Sequence, residues 1–499
     1  MGFSPIQGVK NFFNELRSAP EAQYSTEAAA PTQIAPAFVP EKPTPAYVKT
    51  ATVSEKEIWD EKPLPARPSN KSNFNGLDFA VKAAGSNWAL GFTVLLLVAW
   101  AVWGIVAGPT DTWQVILQDT SSIQAYISAT LLLRQQQTSC RGILGRICGL
   151  ISRSASNERM LRSLPTKDLD QLKLARNPRR ADVEASTAVK RTAFGKIANV
   201  VAASVGSLIF LGIYWTGIFV WVFSGIPLQF SDTWQLDINT ATALQISLTT
   251  MFLQNIRRQH DEHLELCIKS IDLVDADVEV QLRQLTGDQE SNAVVKSEPP
   301  VLSKAQKAID IYAFIVGGSI GVTISCAVFI LWIAVGNSLE FDDNWWLIIG
   351  TYTGLMGFID GFIMKNVDHR ETALAERHFQ RLADQDYSLF RLMDIEMPEV
   401  RENPKLSLNQ RLSKVIGNWC GSTAASYTAV LTVFTLIIIA SAMQWTETGQ
   451  LLCNTPTMIV EGFLLITLLQ AHNMADDKRR DNYDIILKRR IILQSHFTA

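Results

Sequence analysis

Residues 111–124 read DTWQVILQDTSSIQ, and residues 232–245 read DTWQLDINTATALQ. The two stretches are copies of one another, and each opens an apolar-leaning block of about 20 residues, the length that crosses a bilayer core. Two weaker copies follow, DNWWLIIGTYTGLM from Asp343 and ETGQLLCNTPTMIV from Glu447. The last keeps the Gln and an Asn-Thr pair, so that Asn454-Thr455 matches Asn239-Thr240. A second apolar block precedes each copy. The chain therefore reads as four repeats of one helical hairpin.

The resulting expectation is an all-α fold, a polytopic membrane protein with eight transmembrane helices. The hairpins cover 80–135, 197–257, 310–367 and 419–474. The loops inside them (108–112, 224–233, 336–344, 444–449) are short and acidic and contain no Lys or Arg. The connecting segments 136–196, 258–309 and 368–418 and the tail 475–499 are charged; Arg141, Arg146, Arg153, Arg179, Arg180, Arg191, Lys478, Arg479 and Arg480 are among their bases. By the positive-inside rule the termini and long loops face the cytosol and the short loops face outward, each hairpin running in-out-in. Copies with one orientation are related by pseudosymmetry about the membrane normal, not by an inverted repeat. Trp113, Trp234, Trp345, Trp346 and Trp445 then fall at the outer boundary, as an aromatic belt would.

Residues 261–286 and 371–396 have helical spacing and are expected either to extend spans four and six or to lie on the membrane. Segment 139–153 reads as a short basic interfacial helix. Residues 1–75, rich in Pro, Ala, Thr, Ser and Glu, are expected to be a disordered cytosolic tail. That tail does not read as a signal peptide, and Ile6 argues against myristoylation at Gly2.

The 499 residues carry a net charge of −3 and six cysteines with no CxxC pair, so neither a nucleic-acid partner nor a disulfide or zinc framework is indicated. No Walker motif, HExxH or nucleophile elbow is present, and the protein is not expected to be an enzyme.

Aligning Gln118, Asn239, Gly350 and Asn454 exposes a polar stripe. Three residues on stand Ser121, Thr242, Thr353 and Thr457; six on stand Gln124, Gln245 and Met356; ten on stand Ser128, Thr249 and Asp360. Steps of three, four and seven keep one helix face. Most single Ser or Thr residues on such a face are packing residues. Asp360 and Glu461 differ, because an acid at mid-span is costly and usually marks an ion or proton route. Carboxylates, amides and hydroxyls suit hard or borderline divalent cations, and Met356 and Met458 on the same faces lean toward a transition metal. The candidate metal ligands are Asp360, Glu461, Gln124, Gln245, Asn239, Thr240, Asp119, Asn454, Met356 and Met458. Asp111, Asp232, Asp237, Asp342, Asp343 and Glu447 would form an acidic outer vestibule. His260, His263, His369 and His472, at the inner ends, are expected to be solvated.

The stretch Ser231–Leu236 with Ile238–Thr240, and then Phe252-Leu253-Gln254-Asn255, resembles the low-affinity iron(II) permease family of fungal plasma membranes, including its short bacterial members. FDDNWW at 341–346 and GQLLCNTPT at 449–457 are similar to the long fungal form, and the resemblance spans about 80–480. It implies facilitated iron(II) uptake across the plasma membrane, with copper, zinc and other divalent metals as alternative substrates. It implies no cofactor, since Fe2+ is the cargo, and no partner beyond metal and lipid, leaving a homo-oligomer open. The alternatives are a cation channel of another selectivity and a metal-sensing scaffold that transports nothing.

Overall fold

The computed structural model describes residues 23–33, 76–108, 110–175, 200–398 and 408–497. Four helices dominate it: α3 (Asp111–Ser163), α6 (Asp232–Thr286), α9 (Asp343–Leu392) and α12 (Glu447–Phe497). Each is the second helix of an expected hairpin. At 1.5 Å per residue, 50 residues extend about 75 Å, against about 30 Å of bilayer hydrocarbon. More than half of each long helix therefore lies beyond any span it makes.

The long helices form a ring in which α3 packs on α6, α6 on α12, α12 on α9 and α9 on α3. The second hairpin thus neighbours the fourth. Short apolar helices lie outside: α2 (Asn87–Ala107), α5 (Leu208–Ser224), α8 (Ser319–Gly336) and α11 (Thr423–Ala442). Each leans on the long helix one place round the ring: α2 on α6, α5 on α12, α11 on α9 and α8 on α3. Only 17% of the α2 and α8 spans is buried, against 78% for α9 and α12. An apolar surface left so open suits lipid. Amphipathic helices precede three of these spans, namely α1 (Gly76–Ala84), α7 (Lys304–Val316) and α10 (Leu408–Cys420). The expected fifth span therefore breaks at Gly317-Gly318. Asn255 donates to the Gly85 carbonyl at 3.0 Å and Asn366 to that of Gly421 at 2.7 Å, tying two such elbows to the ring.

Among the described residues five helices are long and apolar enough to cross a membrane: α2, α8, α9, α11 and α12. The 17-residue α5 is apolar but shorter. Helices α3 and α6 carry the most polar copies of the stripe, which lowers their hydropathy.

Three of the expected belt tryptophans do a different job. Trp113, Trp234 and Trp345 stack on Trp100, Trp221 and Trp332 of the preceding helix, with ring centroids 3.9, 3.9 and 4.2 Å apart. In each pair both indole N–H groups donate to the partner's carbonyl, at 2.8–3.1 Å. These clasps satisfy both indole N–H groups and close the hairpin. Gly104, Gly225 and Gly336 make room for the rings; a β-carbon on Gly225 would lie 2.8 Å from Trp234. In the fourth hairpin the tryptophan position is Gly449 and the facing glycine is Ala440, which is fully buried. Beside Gly449 stand Met443 and Thr446, where a β-carbon would meet their side chains at 3.1 and 3.4 Å.

The C-terminal halves of the long helices are stapled by charge. Arg490, with no exposed surface, meets Asp275 at 3.1 Å and Asp386 at 2.8 Å, and Arg153 meets Glu279 at 3.0 Å and Asp272 at 3.3 Å. Ser154 donates to Asp386 at 3.0 Å, so all four helices join the network. Burial pushes the Asp275 carboxyl up, and the guanidiniums of Arg490 and Arg153 oppose that shift. Segment 139–153 is thus the middle of α3, not a separate interfacial helix, and residues 475–497 continue α12. Of their bases, Arg153, Lys478, Arg489 and Arg490 meet acids on neighbouring helices, while Arg141 and Lys488 are exposed. The extension of spans four and six is realised as the distal parts of α6 and α9.

Residues 23–33, within the expected disordered tail, are ordered. Tyr24 is fully buried and donates to Asp310 at 3.2 Å, which Arg370 also holds at 2.8 Å. Gln23 donates to Glu371 at 2.9 Å. Strand β1 (Glu27–Ala28) pairs antiparallel with β2 (Val295–Lys296). Composition did not reveal this because the segment borrows its order from the bundle. Residues 1–22, 34–75, 176–199, 399–407 and 498–499 lie outside the described residues, and Arg179, Arg180 and Arg191 with them.

Two stability outcomes follow. Arg490→Leu leaves Asp275 and Asp386 buried without their shared cation and should cost about 3–5 kcal/mol. Gly225→Ala drives a methyl into the clasp and should cost about 1–3 kcal/mol. Both are read by unfolding of the detergent-purified protein; a variant as stable as the parent would show that its contact contributes nothing.

Candidate permeation pathway and metal site

The stripe residues meet where the four long helices face one another. Gln118, Asn239 and Asn454 are at most 1% exposed, and their amide nitrogens and oxygens find no hydrogen-bond partner among the described residues. Both carboxylate oxygens of Asp119, 3% exposed, are likewise unpartnered. A β-carbon on Gly350 would lie 3.2 Å from Asp119 Oδ1, 3.3 Å from Gln118 Nε2 and 3.7 Å from Asn454 Nδ2, so three of these groups converge on one point. One such orphan would be unusual, because buried polar groups are paired in the great majority of cases. Four together describe a place built for a polar occupant that supplies the missing bonds.

The hydroxyl layer follows three residues on. Thr242, Thr353 and Thr457 each donate back to their own helix at 2.8–3.1 Å, which leaves their oxygens able to accept but no longer to donate. Next comes a small cavity of about 10 Å³, room for roughly one water, lined by all four helices through Ser121, Ala125, Ile246, Thr353, Met458 and Glu461. Glu461 reaches across to α9; a β-carbon on Gly357 would sit 2.5 Å from both its carboxylate oxygens. Glycine there is a requirement of the acid.

The expected ligands separate into two groups. Asp119, Asn239, Asn454, Met458 and Glu461 gather at or beside the centre. Asp360 does not join them. It is fully buried and does not line the cavity; its Oδ1 accepts a hydrogen bond from Tyr312 of α7 at 2.8 Å, while its Oδ2 has no partner among the described residues. Gln124 accepts from Ser247 of α6 at 2.9 Å, and Gln245 donates to Thr249 of its own helix at 3.0 Å and to the Gly462 carbonyl of α12 at 3.4 Å, so both serve contacts between neighbouring helices. Thr240 donates to Leu236 at 2.9 Å, and Met356 is only partly buried and lines neither central cavity.

Of the expected vestibule, Asp237 accepts from Gln114 at 3.1 Å and Asp232 from Thr448 at 3.1 Å, while Asp342 caps the N-terminus of α9 by accepting from Trp345 N at 2.8 Å. Glu447 is exposed at the start of α12. The side chains of Asp111 and Asp343 lie outside the described residues. Gln118 was used in the sequence only to align the repeats, yet it stands at the centre; the three- and four-residue steps that align it also put it there.

Deeper, Leu132, Leu253, Met364 and Leu468, fourteen residues beyond the amide layer, belong to one buried apolar cluster. Beyond them a second central cavity of about 30 Å³ is lined by Gln136, Cys140, Arg257, Asp368, Glu371 and His472 among others. His472 and His260, expected to be solvated, are 8% and 7% exposed; their rings stack at 5.0 Å with ring nitrogens 3.0 Å apart. Asp476 lies 3.4 Å from His260. Tertiary packing removed these imidazoles from water.

The sequence profile of the low affinity iron permease family matches residues 194–296, 305–402 and 409–488. The low-affinity iron/zinc ion transport protein fet4 of Schizosaccharomyces pombe is 40% identical over 418 residues, covering 83% of this chain and 72% of that protein. The low-affinity Fe(2+) transport protein of Saccharomyces cerevisiae is 38% identical over 454 residues, covering 84% of this chain and 82% of that protein. No solved structure matches the chain. The matched segments contain three of the four long helices and the identity to both relatives spans most of the chain, so this protein belongs to the low affinity iron permease family.

Proposed function

We propose that this protein carries iron(II) across the plasma membrane into the cytosol, at low affinity, along the axis of the four long helices. The observation that carries the reading is the ring of buried, unpartnered amides and the Asp119 carboxylate set above Glu461. The names of the two relatives support iron(II) and zinc as cargo, and the oxygen-rich donor set with Met458 beside it suits borderline divalent metals, copper included.

The membrane arrangement that goes with this function has eight spans in four in-out-in hairpins, pseudosymmetric about the membrane normal, with both termini in the cytosol. Its support is the repeated Trp clasp, the repeated elbow and the regular lean of each apolar helix on the next long helix. In that arrangement Asp232, Asp237, Asp342 and Glu447 stand at the outer mouth and raise the local cation concentration. The ion exchanges water for Gln118, Asp119, Asn239 and Asn454, and then meets Glu461. Neutral amides and few carboxylates bind weakly, which a pathway needs if the ion is to leave. An inward-negative potential of 100 mV favours entry of a divalent ion by about 4.6 kcal/mol, enough to drive uptake with no other energy source.

Glu461→Gln should cut iron(II) uptake at least about tenfold, the scale of losing a contact that governs metal affinity, at unchanged surface expression. Asp360→Asn, which alters a group bonded to Tyr312 outside the central cavity, should cost far less. Equal losses from both would return Asp360 to the pathway, and unchanged uptake in Glu461→Gln would remove Glu461 from it. Gly357→Ala should mimic the glutamate variant, because the added methyl claims the space of its carboxylate. The same vesicles distinguish a transporter from a scaffold: a scaffold binds iron and moves none.

A further inference from the structure

The cavity below the apolar layer is lined by two cations, Arg257 and Arg479, where a cation pathway should have none, and Arg257 is the more deeply buried. Arg257 is 4% exposed and reaches a space lined by all four long helices. Its partners are poor. Nη1 is 3.5 Å from Gln136 Oε1 and Nη2 is 3.8 Å from Asp368, while Nε and Nη2 make no hydrogen bond. The difference from a structural arginine lies in the ion pairs: Arg490, whose Nε and Nη1 also make no hydrogen bond, has two carboxylates at 2.8 and 3.1 Å, where Arg257 has one at 3.8 Å. Leaving a buried guanidinium so badly served is expensive. An element held in a costly position is a candidate moving part.

Position adds a second argument. Arg257 lies eighteen residues beyond Asn239, and the equivalent residues of the other helices are Gln136, Asp368 and His472, all of which line the same cavity. Glu461 lies seven residues beyond Asn454, so about 16 Å of helix, at 1.5 Å per residue, separates it from Arg257 along the axis. An ion leaving Glu461 for the cytosol crosses the layer of Leu132, Leu253, Met364 and Leu468 and then meets this charge. A guanidinium stays protonated at any physiological pH. It cannot be switched off and can only be moved. Acids stand ready to receive it, with Asp368 nearest and Asp261 and Glu371 on the same cavity wall.

We infer that Arg257 is the inner gate of the pathway. On the axis it repels a divalent ion and keeps the cytosolic mouth shut. Closing the 3.8 Å gap to Asp368 withdraws it, and Asp261 and Glu371 are then left facing the departing ion. The inference rests on the transport reading above and adds a positioning residue to it.

The test uses purified full-length protein in vesicles, with iron(II) uptake driven by an inside-negative potential. Arg257→Gln should raise initial uptake about tenfold, as expected when a like charge is lifted from a partly desolvated route. Arg257→Lys should stay near the parent. A residue that only holds the bundle together would change uptake in the opposite direction. Because Arg257→Gln leaves Asp368 without its cation, the double variant Arg257→Gln/Asp368→Asn is measured beside it and should also exceed the parent. Uptake at or below the parent in the double variant overturns the gate while leaving transport intact. A parent protein that moves no iron overturns the transport reading and the gate with it.

Discussion

Four helices of about 75 Å bury one another's polar faces, and every other feature of the molecule answers to that contact. A helix face that carries Gln, Asn, Thr and Asp cannot lie against lipid, where unsatisfied polar groups cost several kcal/mol each. It must be turned toward other protein or toward water. The ring of α3, α6, α12 and α9 turns all four such faces inward. The apolar helices α2, α5, α8 and α11 are thereby left on the outside, and their open surfaces are the consequence.

Within the ring, polar groups meet two fates. In the distal half, acids and bases from different helices find one another at 2.8–3.3 Å, and the result is a staple. Its energetic yield over an apolar core is small, but a misregistered helix would strand a charge, so it specifies alignment. In the proximal half, Gln118, Asp119, Asn239 and Asn454 find nothing among the described residues. The same composition gives rigidity where charges are matched and leaves buried groups unpartnered where they are not. Arg257 falls between these fates, buried with weak partners.

The repeat also explains how the fourth hairpin can differ without collapse. Three hairpins are clasped by paired indoles, each with a glycine cut to receive a ring. Where the ring is missing, Ala440 replaces the glycine and Gly449 the tryptophan, and the Met443 side chain lies against Gly449. The fourth helix supplies Glu461, and α9 supplies the glycines that admit it. Divergence among the copies adds the Glu461 carboxylate to a centre that otherwise holds Asp119, amides, hydroxyls and small residues.

Much was legible in the residues alone. The DTWQ copies, the apolar blocks and the absence of bases from the short loops determined a helical membrane protein built of repeated hairpins. Three- and four-residue steps picked out the face that holds Asn239, Asn454 and Glu461, because helix periodicity is local and survives without knowledge of neighbours. What the sequence could not contain was which faces look at which. Asp360 and Gln245 share a stripe with the central residues, yet Asp360 accepts from Tyr312 of α7 and Gln245 donates to the Gly462 carbonyl of α12. His260 and His472, more than two hundred positions apart, become stacked neighbours only because α6 lies beside α12. The order of helices round the ring, the conversion of surface-looking arginines into buried staples and the burial of Tyr24 were likewise decided by packing. Those contacts join residues far apart in the chain, and their energies exist only once the helices have met.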